Sequence, residues 1–190
     1  MQTACLPLVL GISCVHCGSS SLAAYLNAHP QLSHGGHKEH HFFPDQSNSD
    51  RSGRLLKYSK QFLLPVPSQG ELQTYGLDFT PGYLSKSAMD RRVVSQVAEL
   101  PDETRFIVIL KSAQEFMRGR LREKATFKCL EDPQCWQDIR RLCCQHIQLE
   151  AWLAQFDRQR FFFVRSEDLA ELPNRSFAFP DSRNLGCCLS

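Results

Sequence analysis

The sequence predicts an α/β fold, a mainly parallel central sheet with helices on both faces, and three observations carry that prediction. Short apolar, β-prone runs recur near residues 6–12, 76–80, 105–110 and 160–164, the pattern of strands buried in a sheet. The stretches at 91–100, 113–124 and 137–156 read as helices. The chain also opens with a strand, a small-residue loop and a helix in immediate succession, the unit from which such folds are built. At 190 residues, one domain spanning 1–190 is expected.

The first strand is Leu6, Leu8, Val9, Leu10 and Ile12, and polar loop residues Ser13 to Gly18 follow at once. Ser19, Ser20 and Ser21 are expected to cap the next helix, because serine hydroxyls satisfy free backbone N–H groups and Leu22 to Leu26 are good helix formers. Asn27 and Pro30 end it. Residues 44–60 are polar and predict an exposed loop. Leu77 and Phe79 alternate with Asp78 in a strand that stops at Pro81-Gly82. Val93, Val94, Val97 and Leu100 share one side of a modest helix. Arg105 to Leu110 is a continuous buried strand, followed by a helix from about Ala113 to Lys124. Residues 126–135 predict a loop. In the long helix 137–156, Cys143, His146, Leu149, Trp152 and Leu153 fall at helical spacing, which assigns His146 and the cysteine to core packing. Arg160 to Val164 supplies the last strand.

A strand, a small-residue loop and a helix is also the geometry that holds a phosphate. The first turn of a helix presents unpaired N–H groups and the positive end of its dipole. Gly18 permits close backbone approach, and three serine hydroxyls add donors. An ordinary strand–helix turn has the same pattern, since small-residue turns are common in α/β folds; on the phosphate reading the sheet is P-loop-like. The GxxxxGK[ST] pattern of nucleoside triphosphatases is absent, since no lysine follows Gly18.

Composition narrows the classes further. A hydrophobic share of 42% and a charged share of 22% are those of a globular chain, and a net charge of +2 predicts no nucleic-acid partner. No run of eighteen apolar residues predicts a membrane span, and no basic stretch precedes an early apolar run as in a secretory signal. The nine cysteines follow no regular disulfide spacing, which predicts mostly reduced thiols, with a Cys129–Cys135 bridge open in an oxidising compartment. A basic cluster runs from Arg105 and Lys111 through Arg118, Arg120, Arg122 and Lys124, and reads first as a solvated helix face.

Several spaced motifs, taken together, resemble the sulfotransferases, above all the Golgi carbohydrate branch of heparan-sulfate type. His16-Cys17-Gly18-Ser19 stands where that branch has a Lys-Gly-Gly-Thr-type loop, and His29-Pro30 ends the helix. Lys38-Glu39-His40-His41-Phe42-Phe43 is similar to the branch's Lys-Glu-x-His-Phe-Phe run. Asp78-Phe79-Thr80-Pro81-Gly82-Tyr83 resembles Glu-Lys-Thr-Pro-x-Tyr, with Phe79 in place of the lysine that reaches the transferring group. Lys111-Ser112-Ala113 stands at an Arg-Asp-Pro position and Gly119 at a serine, the pair that holds the cofactor's 3′-phosphate. Trp152-Leu153, Glu167-Asp168-Leu169 and Pro173 complete the likeness, which covers roughly residues 5–173.

The resemblance implies transfer of a sulfuryl group from 3′-phosphoadenosine 5′-phosphosulfate to a hydroxyl or amine of a carbohydrate acceptor. Cofactor contacts are expected from His16, Cys17, Gly18, Ser19, Ser20, Ser21, Lys111 and Arg118. Glu39 is the implied general base, with His16 and Lys38 beside it in the catalytic set. A histidine at position 16 predicts activity rising toward mildly acid pH, where imidazole is charged. The resemblance implies the Golgi lumen and, C-terminally, a Lys-Gly loop gripping the cofactor. That loop is expected to be missing, since the match fades after Asn174 and the chain ends at Asn184 to Ser190.

Two further classes stay open. The altered positions His16, Phe79 and Gly119 also fit a non-catalytic sulfotransferase-like protein that binds a nucleotide or glycan. Cys14-x-x-Cys17 with His34-x-x-His37 also fits a small zinc module, although no metal is expected on the main reading.

Overall fold

The computed structural model describes residues 2–4, 6–14, 16–65, 74–123, 132–134, 136–137 and 143–171. Strand β1 (Gln2–Ala4) pairs antiparallel with β4 (Leu63–Pro65). The main sheet holds β2 (Pro7–Ser13), β3 (Leu32–Ser33), β5 (Tyr75–Phe79), β6 (Arg105–Leu110) and β7 (Phe161–Arg165). Its order is β3-β5-β2-β6-β7, and all of its pairings are parallel. The expected parallel sheet is therefore present, with β3 and the β1–β4 pair added. Those additions are too short to leave a periodic signal.

Alternation along the strands sends side chains to two separate cores. Leu10, Ile12, Phe106 and Val108 enter one, together with Tyr83 and Leu84 of α3 (Gly82–Met89), Val93 and Val97 of α4 (Arg92–Val97), and Trp152 of α6 (Gln145–Gln155). Leu77, Phe79 and Ile109 enter the other, with Leu22 and Leu26 of α1 (Ser19–Asn27) and Phe116 of α5 (Ala113–Glu123). Helices thus cover both faces. Gly11 is the register partner of Phe79, and a Cβ built on it would lie 2.4 Å from the Phe79 ring. The Phe79 ring is fully buried, so this side chain belongs to the core and not to the strand's mouth.

Several local expectations are corrected. Residues 44–60 are not all loop: α2 (Arg51–Ser59) forms there, because Asp50 accepts a hydrogen bond from Gly53 N at 2.8 Å and caps the first turn. Its fully buried Tyr58 anchors it, and Arg54 pairs with Glu99. Polar composition hid a helix whose exposed face is charged. A second unexpected helix, α3, starts where Pro81-Gly82 was expected only to end a strand. Helix α1 is not capped by a serine side chain; its N-cap is Gly18, in the left-handed region at φ 85°. Cys14 and Cys17 are joined in a disulfide, against the expectation of reduced thiols there, while Cys143 and Cys144 form no disulfide among the described residues.

On α6 the buried residues are Gln145, Gln148, Leu149 and Trp152, whereas His146 is exposed. The expected face is right at Leu149 and Trp152, but His146 falls at its exposed edge, because Gln145 and Gln148 occupy inward positions that hydropathy assigns to solvent. Helix α7 (Ser166–Glu171) follows β7. Cys129, Cys135, Pro173 and the C-terminal stretch from Asn174 lie outside the described residues.

Candidate functional site

In a parallel sheet the loops at the carboxyl ends of the strands gather along one edge, and ligand sites form there. At the end of β2 the chain turns through His16 (φ 57°) and Gly18 (φ 85°) into α1. A left-handed residue costs glycine little, whereas any Cβ at Gly18 would also come within 3.4 Å of Leu169 Cδ1. The helix begins with no side-chain cap, and Leu22 N to Gly18 O, at 3.1 Å, is its opening bond. First-turn amides ahead of that bond have no intrahelical partner. Just before the loop, the buried Ser13 hydroxyl lacks a hydrogen-bond partner among the described residues.

Two lysines reach this turn from other strands' ends. Lys111, after β6, donates from Nζ to His16 O at 3.0 Å. Its own peptide is held by Gln145, whose Oε1 accepts from Lys111 N at 3.1 Å and whose Nε2 donates to Lys111 O at 3.0 Å. Lys38 donates from Nζ to Ser20 Oγ at 3.2 Å, and the same ammonium is paired with Glu39 Oε1. The other Glu39 oxygen lies 3.1 Å from His41 Nε2. One polar chain therefore runs from the first turn of α1 through Lys38 to Glu39 and His41.

Glu39 also lines a cavity of about 550 Å³, with Gly35, Gly36, His37, His40, Lys60 and Gln61. Residues 16–21 are not part of that wall. The cavity and the turn are joined through the Lys38–Glu39 pair. His40 stands at 4.1 Å, centroid to centroid, on the Phe62 ring. Its Nδ1 is 2.9 Å from Gln61 Oε1, and its Nε2 is 3.1 Å from His34 O. Burial pushes its pKa below the ordinary value, with Asp78 opposing.

Ser19 is buried, and Ser20 and Ser21 are exposed at the start of α1. Cys17 is buried and bonded to Cys14. Arg118 is on α5, where its guanidinium pairs with Glu115 at 2.6 Å rather than with the α1 turn. A Cβ at Gly119 would meet nothing within 4 Å. At the head of α5, Ser112 N donates to Glu167 Oε1 at 2.9 Å. That backbone bond holds the Glu167 carboxyl below its usual range. The zinc ligand set does not assemble: Cys14 and Cys17 are spent on each other, and the His34 ring nitrogens face Leu77 O at 2.9 Å and Ala23 O at 3.3 Å. Among the described residues, no group of three His, Cys, Asp or Glu side chains is arranged to hold a metal.

The motif Asp78 to Tyr83 carries a polar cluster that its resemblance alone does not reveal. Asp78 is fully buried and accepts hydrogen bonds from Thr80 Oγ1 at 2.6 Å, from Tyr83 OH at 2.9 Å and from Tyr58 OH. A charged residue inside an otherwise apolar strand was the available signal. It looked like the solvent face of an alternating strand until α2 and α3 covered it.

No family model matches the chain, and no curated protein matches it. Solved structures do. A sulfotransferase from Alicyclobacillus acidocaldarius superimposes with a TM-score of 0.60 at 18% identity, over 89% of this chain and 76% of that one. The sulfotransferase domain from the curacin biosynthetic pathway superimposes with a TM-score of 0.55 at 15% identity, over 90% of this chain and 71% of that one. The chain therefore has the sulfotransferase fold.

Proposed function

We propose that this protein is a sulfotransferase of the Golgi carbohydrate type, which moves a sulfuryl group from 3′-phosphoadenosine 5′-phosphosulfate to a hydroxyl or amine of a carbohydrate acceptor. The observation that carries this reading is the Lys38 ammonium, which touches both Ser20 on the first turn of α1 and the Glu39 carboxylate. An anion-holding helix start and a base are thereby joined by one cation. The residues fit the nucleotide. Gly18 leaves room for close approach, α1 starts uncapped, and Lys38 and Lys111 border the turn.

In this reading His16, Cys17, Gly18, Ser19, Ser20 and Ser21 hold the phosphosulfate end, and Lys111 and Arg118 serve the 3′-phosphate. The bound nucleotide supplies the activated sulfuryl group. Such transfers are governed by positioning and charge stabilisation. Glu39 takes the proton from the acceptor hydroxyl, and Lys38 stands where negative charge gathers. The acceptor occupies the cavity beside Glu39, whose lining of glycines, imidazoles, Lys60 and Gln61 suits a polyhydroxylated molecule better than an apolar one. The non-catalytic reading draws its support from Phe79, whose buried ring puts no cation at the end of β5.

Calorimetry with adenosine 3′,5′-bisphosphate tests the proposal. Saturable binding is expected, lost on Gly18→Val and kept on Glu39→Ala, with transfer to a glycan abolished in the second variant. Absence of binding by the wild-type chain overturns the proposal. Binding with no transfer to any glycan offered selects the non-catalytic alternative.

A further inference from the structure

The segment carrying Glu39 is bound to the end of β5 on both sides of that residue. Phe79 N donates to Lys38 O at 3.0 Å. His40 N and His41 N both donate to Thr80 Oγ1, at 3.0 and 3.3 Å, and Phe42 N donates to Tyr83 OH at 2.9 Å. His41 lies at φ 51°, a left-handed conformation that a side-chain-bearing residue adopts only when its surroundings impose it. Here that conformation accompanies two successive amides aimed at one hydroxyl oxygen.

The direction of these bonds is set by Asp78. A buried carboxylate only accepts, so the hydroxyl protons of Thr80 and Tyr83 must point toward it. Their lone pairs are then left for the amides of His40, His41 and Phe42. Burial raises the pKa of Tyr83 and Tyr58 well above the ordinary tyrosine value, so both remain donors. A neutral residue at position 78 could not fix every proton in this sense.

We infer that Asp78, acting through Thr80 and Tyr83, is the positioning group of the Glu39 base: it locks the backbone immediately after Glu39, while Phe79 N holds the residue before it, and so sets where the carboxylate stands between the α1 turn and the cavity. The role assigned to Glu39 rests on the proposed function. The latch itself is a claim about the backbone and is tested separately.

Residue-resolved amide exchange by NMR, run beside steady-state transfer assays, is the experiment. Thr80→Val keeps shape and removes the acceptor. The amides of His40 and His41 are expected to exchange at least about tenfold faster, while those of β2 and β6 stay as in the wild type. In the same variant kcat is expected to fall at least about tenfold, with adenosine bisphosphate affinity unchanged. Thr80→Ser, which restores the oxygen, is expected to recover both. Tyr83→Phe is expected to free the Phe42 amide alone, and serves if Thr80→Val does not fold. Unchanged exchange at His40 and His41, or a serine variant that behaves like the valine one, overturns the inference. A wild-type chain without transfer activity overturns the proposed function instead, and the exchange pattern then decides the latch by itself.

Discussion

The turn after β2 and the segment 38–42 meet at Lys38, yet opposite means hold them. The turn is shaped by its own backbone: left-handed His16 and Gly18, a Cys14–Cys17 disulfide across it, and one lysine on a carbonyl. Its helix starts without a side-chain cap. The segment 38–42 spends the amides of His40, His41 and Phe42 on Thr80, just past β5, and Tyr83 of α3, and those side chains converge on the buried Asp78. A surface meant to grip an anion must leave its amides unspent, whereas a surface meant to aim one carboxylate must use them up. On this view the turn binds and the segment positions.

Glu39→Gln is the sharpest way to break that division. Loss of a general base costs roughly 10²–10⁴-fold in turnover. The loss is expected in kcat, with adenosine bisphosphate binding intact by calorimetry. If binding fell along with turnover, the two regions would not have separate tasks.

Next in size is Phe79→Lys, which restores the residue type that the resemblance implies at this position. The ring is fully buried against Gly11, so the substitution removes core packing and buries an ammonium. Deleting a buried Phe side chain costs roughly 3–5 kcal/mol before the charge is considered. The variant is expected to be largely unfolded in a urea titration. A folded variant with raised transfer would show that the end of β5 reaches the reacting group, and the contrast between the two regions would need redrawing.

These two positions also show what the sequence could convey. Apolar runs located the main strands, because a sheet covered on both faces forces continuous hydrophobicity. The strand–loop–helix pattern marked the α1 turn, the resemblance alone marked Lys38 and Glu39, and the folded chain joins them through one ammonium. What stayed hidden depends on partners far along the chain. Asp78 looks solvent-facing until Tyr58 of α2 covers it, and α2 itself has a polar sequence. Gln145 and Gln148 read as surface residues on hydropathy alone, yet both are buried. Arg118 stands beside Gly119, where the resemblance has a serine, and its ion pair with Glu115, one turn earlier on its own helix, was not legible from that position.

Gly11→Ala probes the strand pair beneath both regions. The added methyl would lie 2.4 Å from the Phe79 ring, so the ring must shift. Overpacking of this kind costs roughly 1–3 kcal/mol. A fall in the denaturation midpoint is expected, with recovery when Gly11→Ala is combined with Phe79→Leu. Because Phe79 N also holds Lys38 O, the single variant is expected to loosen the 38–42 segment more than the disulfide-closed turn, which amide exchange would resolve.

The smallest effect concerns His40, whose backbone amide is bound to Thr80 and whose ring lies in the cavity wall. Burial lowers its pKa in the folded chain below the ordinary value of 6.5, against an opposing pull from Asp78. The unfolded chain therefore takes up this proton first as pH falls. Stability from this group is fully present above about 6.5 and declines as pH drops below it toward the folded-state pKa. The slope from one proton cannot exceed about 1.4 kcal/mol per pH unit. His40→Phe keeps a ring against Phe62 but cannot titrate. Urea midpoints collected from pH 7 downward are expected to fall less steeply in that variant than in the wild type. Equal slopes would mean that His40 takes up its proton in the fold without penalty, and that the segment around Glu39 is more open to water than the latch requires.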